Sequence, residues 1–146
     1  MREVYGPFLS LAGGYVFTIN GQKSIMAGVD LNYHAGGEPT LYGSFVRGSS
    51  KMLNTTVQIT GLFKGNPTKS TVVGGGVSLI SWTEEMTLYD NGGAKYFFSG
   101  SGKVAGLHLI AASEGTTGTS FSGALLTITG GDPDLGGLTL FVGYRF

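Results

Sequence analysis

The stretch Gly137-Leu138-Thr139-Leu140-Phe141-Val142-Gly143-Tyr144-Arg145-Phe146 decides how this chain is read. Successive side chains of a strand point to opposite sides. Leu138, Leu140, Val142, Tyr144 and Phe146 therefore share one face, and Thr139, Phe141, Gly143 and Arg145 share the other. The first face is wholly apolar and the second is mixed. The sequence ends inside this strand on an aromatic residue, where a water-soluble sheet ordinarily ends in a polar, frayed segment. A last strand that closes a barrel against the first has no frayed end to protect.

Working outward from that strand, composition narrows the class. The 146 residues suit one domain, 1–146, with a single core. Charged residues make up 12%, about half the share usual in a soluble domain. Net charge is +0, which argues against a nucleic-acid groove or an acidic tail. Cysteine is absent, so disulfides and thiolate metal sites are excluded. The 27 glycines follow no collagen-like period, and 41% hydrophobic with 12% aromatic residues exclude a disordered chain. No apolar run approaches the roughly 18 residues a membrane helix needs. Nor does a signal peptide open the sequence, so an exported protein of this sequence is expected to be the mature form, its Met1 an addition.

Alternation and turn signals recur from end to end, while helical periodicity is hard to find. After a short lead, Met1–Pro7, a first strand places Leu9, Leu11, Gly13, Tyr15, Phe17 and Ile19 on one face. Asn20-Gly21 is a turn pair. The second strand sets Ile25, Ala27, Val29, Leu31 and Tyr33 against Met26, Gly28, Asp30, Asn32 and His34, and Ala35–Pro39 reads as a loop. A third strand is expected over Thr40–Arg47, a turn at Gly48-Ser49-Ser50, and a fourth strand over Met52–Lys64. Thr71–Tyr89 and Ala94–Ala112 are expected to form one long hairpin around Asp90-Asn91-Gly92-Gly93, the alternative being two extra short strands, and the two faces of Thr71–Trp82 are too alike to assign. Thr119–Thr129 and the terminal strand complete eight, the even number that a closed antiparallel up-and-down β-barrel needs.

The terminal pattern, with Phe146 last, Tyr144 two before it and Leu138, Leu140 and Val142 upstream, resembles the closing strand of bacterial outer-membrane β-barrels. The resemblance implies an eight-stranded barrel in the outer membrane, its terminal strand facing lipid and also read by the insertion machinery. The placement of charge agrees: most charged residues lie at ends, turns or loops, and Asp30 and Arg145, inside strands, sit on the mixed face. An apolar exterior around a small polar interior is expected, with Asp30, Asn32, Gln58 and Arg145 as the polar network of the lumen and an Asp30–Arg145 pair across the closure. Tyr5, Phe8, Tyr33, Phe63, Trp82 and Tyr144 suit interfacial belts.

Candidate sites follow from this frame. The long hairpin would project past the rim with Glu84, Glu85, Asp90, Lys95 and Lys103. His34 and His108 lack a third ligand, so no metal and no cofactor is expected. No spacing completes a hydrolytic triad around His108, and a lumen histidine fits better. Gly74-Gly75-Gly76 has no following helix or Lys-Ser/Thr pair, so it reads as close strand packing or curvature and not as a phosphate loop. Asp132-Pro133-Asp134 reads as a turn. The expected role is structural or surface-interacting, without an open pore and without a catalytic set, and with the lipid bilayer as partner. A surface protein is a further expected partner. The alternative is a soluble eight-stranded barrel that holds a small hydrophobic ligand or acts as a cyclase-type enzyme, because Glu84–Asp90 and Thr117–Ala124 resemble segments of allene-oxide-cyclase-like barrels. A Gly-rich secreted barrel with a charge-poor surface is a third.

Overall fold

Two tight turns show how local chemistry sets the ladder. Asn20 Oδ1 accepts from the backbone N–H groups of Gln22 and Lys23 at 2.8 and 2.9 Å, closing the first turn with its own side chain. Asp90 Oδ1 does the same for Gly92 and Ala94, both at 2.9 Å, and Gly93 takes the positive φ of 80° that a side chain resists.

The computed structural model describes residues 8–37, 45–65, 70–116, 118–131 and 135–146. Among these every regular element is a strand: β1 Phe8–Thr18, β2 Lys23–Gly37, β3 Phe45–Phe63, β4 Thr71–Asp90, β5 Lys95–Glu114, β6 Ser120–Thr129 and β7 Gly137–Tyr144. They form one antiparallel up-and-down sheet in the order β1-β2-β3-β4-β5-β6-β7, curled into an open half-barrel. The lead 1–7, the part 40–44 of the third predicted strand and the Asp132–Asp134 loop lie outside the described residues.

Two expectations are corrected. The described residues form seven strands and not eight, because Gly48-Ser49-Ser50 is no turn. Gly48 pairs with Leu88, Ser49 with Thr87 and Ser50 with Met86, so β3 runs unbroken beside β4. Gly48, Ser49 and Ser50 are all strand residues, and Gly48 takes no positive φ. A 20-residue partner strand offers backbone bonds that outweigh the local turn propensity of Gly and Ser. The sheet is also not closed: β1 and β7 are its two ends. The long hairpin is present, with Tyr89 paired to Lys95 and Val72 to Ala112. β2 continues through the predicted Ala35–Pro39 loop as far as Gly37, with a register shift between Ala35 and Gly37.

The two faces differ sharply. Exposed apolar residues line the convex side, among them Leu11, Leu31, Val57, Leu79, Leu107 and Leu140. The concave side buries Asp30, Asn54, Thr56, Gln58, Thr60, Ser78, Glu84 and His108, beside Met52, Ile80, Leu88 and Val104. Glycines on the concave side allow the curl. A Cβ on Gly74 or Gly76 would run into the carbonyl of Gly61 or Ile59 on β3. On β1, by contrast, a Cβ on Gly13 meets nothing within 4 Å.

Gly76→Ala is therefore expected to destabilise the folded sheet by about 1–3 kcal/mol through forced strand separation. Gly13→Ala should stay within about 0.5 kcal/mol. Urea titration of both variants against the parent checks the pair; equal midpoints would contradict the close approach at Gly76.

Candidate functional site

The best-defined polar constellation sits on the concave face where β3, β4 and β5 lie side by side. Register aligns Thr60, Gly76 and His108 in one row. Because Gly76 has no side chain, the imidazole of His108 crosses above it and reaches Thr60 two strands away: Nε2 lies 2.6 Å from Thr60 Oγ1. Its other nitrogen, Nδ1, lies 2.7 Å from Ser78 Oγ. A hydroxyl can donate or accept, so both contacts are satisfied in either tautomer. One pair along, Gln58 Nε2 donates to both carboxylate oxygens of Asp30, at 3.4 and 3.3 Å. Toward the hairpin end, Asn54 Nδ2 and His34 Nε2 approach to 3.5 Å, and Phe8 stacks on His34 with ring centroids 5.0 Å apart. Asn54 Oδ1 and His34 Nδ1 are buried there with no hydrogen-bond partner among the described residues.

This arrangement organises a polar lining and offers little to catalysis. Both ring nitrogens of His108 are occupied by hydroxyls, so no carboxylate orients the ring as a triad requires. Thr60 is fully buried and Ser78 nearly so, leaving a substrate no approach to either oxygen. Among the described residues no group of three or more His, Asp or Glu could hold a metal.

The convex face is the second candidate. On β3 its side chains run Leu53, Thr55, Val57, Ile59, Gly61 and Phe63, and on β4 Val73, Gly75, Val77, Leu79, Ser81 and Thr83. At one end this band stops at exposed Lys51, Glu85 and Lys103, with Lys51 and Glu85 opposite each other in the ladder. At the other end it stops at Lys23, paired with Phe63, and near the Lys64–Glu114 ion pair of 3.3 Å. No charged side chain stands on the convex face between these limits among the described residues. Leu53 to Phe63 covers roughly 33 Å at about 3.3 Å per residue, or about 25 Å in height at a strand tilt near 40°.

The predicted site residues are distributed as follows. Asp30 and Gln58 are joined, and both are buried on the concave face with Asn32 half-buried beside Asn54. Arg145 stands apart. It is exposed just past β7, where its backbone N–H donates to the carbonyl of Thr119 at 2.7 Å. No Asp30–Arg145 pair forms, since β1 and β7 are not neighbours. Leu138, Leu140, Val142, Tyr144 and Phe146 are all exposed, the first four on convex β7 positions. Glu85, Lys95 and Lys103 are exposed, and Asp90 caps its own turn. Glu84 turns inward and is buried, in the row of His34 and Met52. Trp82 and Phe8 also lie on the concave side and not in a convex belt: Trp82 covers Gly100 and Gly102, and Tyr33, Phe63 and Tyr144 remain convex. Thr60 and Ser78 were not singled out from sequence. Thr60 belongs to the alternation Asn54, Thr56, Gln58, Thr60, but nothing in the sequence marks it as the partner of a histidine 48 positions away. Compared with family models, curated proteins and solved structures, the chain finds no significant match.

Removing the bridging imidazole strands two buried hydroxyls. His108→Ala is expected to cost more than Thr60→Val or Ser78→Ala, each of which should lose about 1–3 kcal/mol. Thermal melts of the three variants test this order; a His108→Ala protein as stable as the parent would show that the bridge contributes nothing.

Proposed function

We propose that this chain forms β-barrel wall in a membrane of the bacterial outer-membrane type, with lipid against the convex face and the polar network turned inward. Its role is structural and surface-interacting, exercised through the loops and the sheet that extends past the charged rim. What carries the reading is the inverted distribution of polarity: exposed leucines and valines outside, buried Asp30, Gln58, Thr60 and His108 inside. In water a contiguous apolar surface of this extent, far above the few hundred Å² usual on a monomer, would drive aggregation. In a bilayer the same surface is the required one, and the band of about 25 Å matches a hydrocarbon core crossed by tilted strands. The terminal strand's resemblance to closing strands of outer-membrane barrels points the same way.

A soluble barrel around a hydrophobic ligand would need its apolar side chains on the concave face, where the polar ones lie. An interior filled by side chains belongs to a closed eight-stranded barrel, and the described strands form an open sheet of seven. Beyond the row of Phe8, β3 residues 45–51 run beside Glu85–Asp90 of β4 and Lys95–Ser99 of β5, with the end of β2 alongside as far as Gly37.

Two measurements test the reading. Protein refolded in detergent should run as a compact band on SDS gels and shift on boiling, whereas protein kept in plain buffer should show no such species. A monodisperse folded protein without detergent would overturn the proposal. Val57→Arg, at the middle of the convex band, should cost about 2–4 kcal/mol of folding in vesicles; an exposed position in water would lose no more than about 0.5 kcal/mol.

A further inference from the structure

The open edges of the sheet are its largest unexplained feature. β1 has a partner on one side only, and so has β7. Half of the N–H and C=O groups of each edge strand therefore face outward unpaired among the described residues. These strands also carry the most exposed apolar side chains: Leu9 at 78% and Leu11 at 75% on β1, Leu140 at 78% and Val142 at 84% on β7. Unpaired backbone in contact with hydrocarbon is not tolerated, and even in water a bare flat edge recruits another strand.

Among the described residues nothing answers this need. The sheet's curl covers half a barrel, so the two edges open toward the same side and lie a barrel's width apart, out of reach of each other. Seven consecutive antiparallel strands also leave β1 and β7 running in the same direction. Both facts fit one solution. A half-barrel subtends a half turn, and a half turn is the rotation that two identical copies close into a ring. We infer that two copies of this chain complete one fourteen-stranded barrel about a two-fold axis parallel to the barrel axis, with β7 of each copy pairing in parallel with β1 of the other. The axis direction follows from the charged end. With Lys51, Glu85, Asp90, Lys95 and Lys103 at one rim, identical chains that insert identically place those charges on the same side of the bilayer. An inverted copy would have to carry the same charges across. Strand stagger is accommodated: the row through Phe17, Ile25, Gly61, Gly75, Leu109 and Leu126 arrives at Leu138, near the start of β7, so β7 lies displaced along the barrel from β1 as tilted strands require.

The inference rests on the lipid-facing reading for its necessity, but its test is separate. The chain has no cysteine, so cross-links report only introduced sites. Single variants Leu9→Cys, Leu11→Cys and Tyr15→Cys on β1, and Leu138→Cys, Leu140→Cys and Val142→Cys on β7, are refolded in detergent alone and as mixtures of one β1 with one β7 variant, then oxidised. Neighbouring strands bring at least one such pair within disulfide reach. The expected result is a covalent dimer from β1/β7 mixtures only, with a particle mass before oxidation twice the 15.2 kDa chain. Dimers formed by a β1 variant alone overturn the arrangement in favour of antiparallel seams. An intramolecular bond in a β1/β7 double variant, or a detergent-folded monomer without cross-links, overturns the pairing and leaves the lipid reading standing. Mixed-pair dimers in plain buffer would keep the pairing and remove the lipid reading.

Discussion

The register of β4 between β3 and β5 is the constraint on which the rest of the structure depends. Both are paired with it along nearly its whole length, from Phe63↔Val73 to Phe45↔Asp90 on one side and from Thr71↔Ser113 to Tyr89↔Lys95 on the other. Because the side-chain period is two, this register assigns a face to every residue of three strands at once, and β2 and β6 inherit theirs. A slip of β4 by one residue would send Val77 and Leu79 inward and Ser78 outward, between neighbours whose faces stay as they are. The hydrogen bonds of His108 would be lost and the apolar face broken, so the two surfaces fix the ladder jointly.

Polar side chains away from water must find one another, and the curl is what brings them together. Gly74 and Gly76 let β4 approach β3 so closely that a methyl group would strike a carbonyl. The gap above Gly76 then becomes the space that His108 crosses. Curvature and hydrogen bonding are thus one device: the missing side chain permits the bend, and the bend permits a two-strand reach. The Asp30–Gln58 pair extends the same lining toward β2, the carboxyl group of Asp30 being held by an amide.

Much of this was legible in the sequence, for local reasons. Turns at Asn20 and Asp90 announce themselves through residues that bond their own backbone, and the long hairpin follows from the second. The facing of β2, of Met52–Phe63 and of β7 follows from clean alternation. Strand count was not legible, because Gly48-Ser49-Ser50 has turn composition and only the 20-residue β4 alongside makes it a ladder segment. Thr71–Trp82 hid Ser78, since its glycines make the two faces alike in composition while leaving them opposite in role. Glu84 and Trp82 were placed by what such residues usually do, a charge at a rim and an indole at an interface. Register with His34, Met52 and Asn54 turns both inward. The Asp30–Arg145 pairing depended on closure, a property of the sheet's total curl that no local pattern encodes.

Strand length separates two regions with different demands. A tilted crossing needs about 9–11 residues, and the 20-residue strands β4 and β5 have roughly twice that. The surplus lies wholly on the side of Lys51, Glu85 and Lys103, because the opposite ends stop at the Lys64–Glu114 level with β6 and β7 alongside. β6 leaves β5 at Gly106, so the stretch Lys95–Ala105 continues as a sheet edge. It carries exposed Tyr96, Phe97 and Phe98, with a lysine at each end of the run from Lys95 to Lys103. Charged lysines on an edge discourage indiscriminate strand pairing, whereas no charge guards the convex faces of β1 and β7. The two kinds of edge therefore differ in chemistry as well as position: the one beyond the rim is blunted, and the two within the apolar band are left open to pairing.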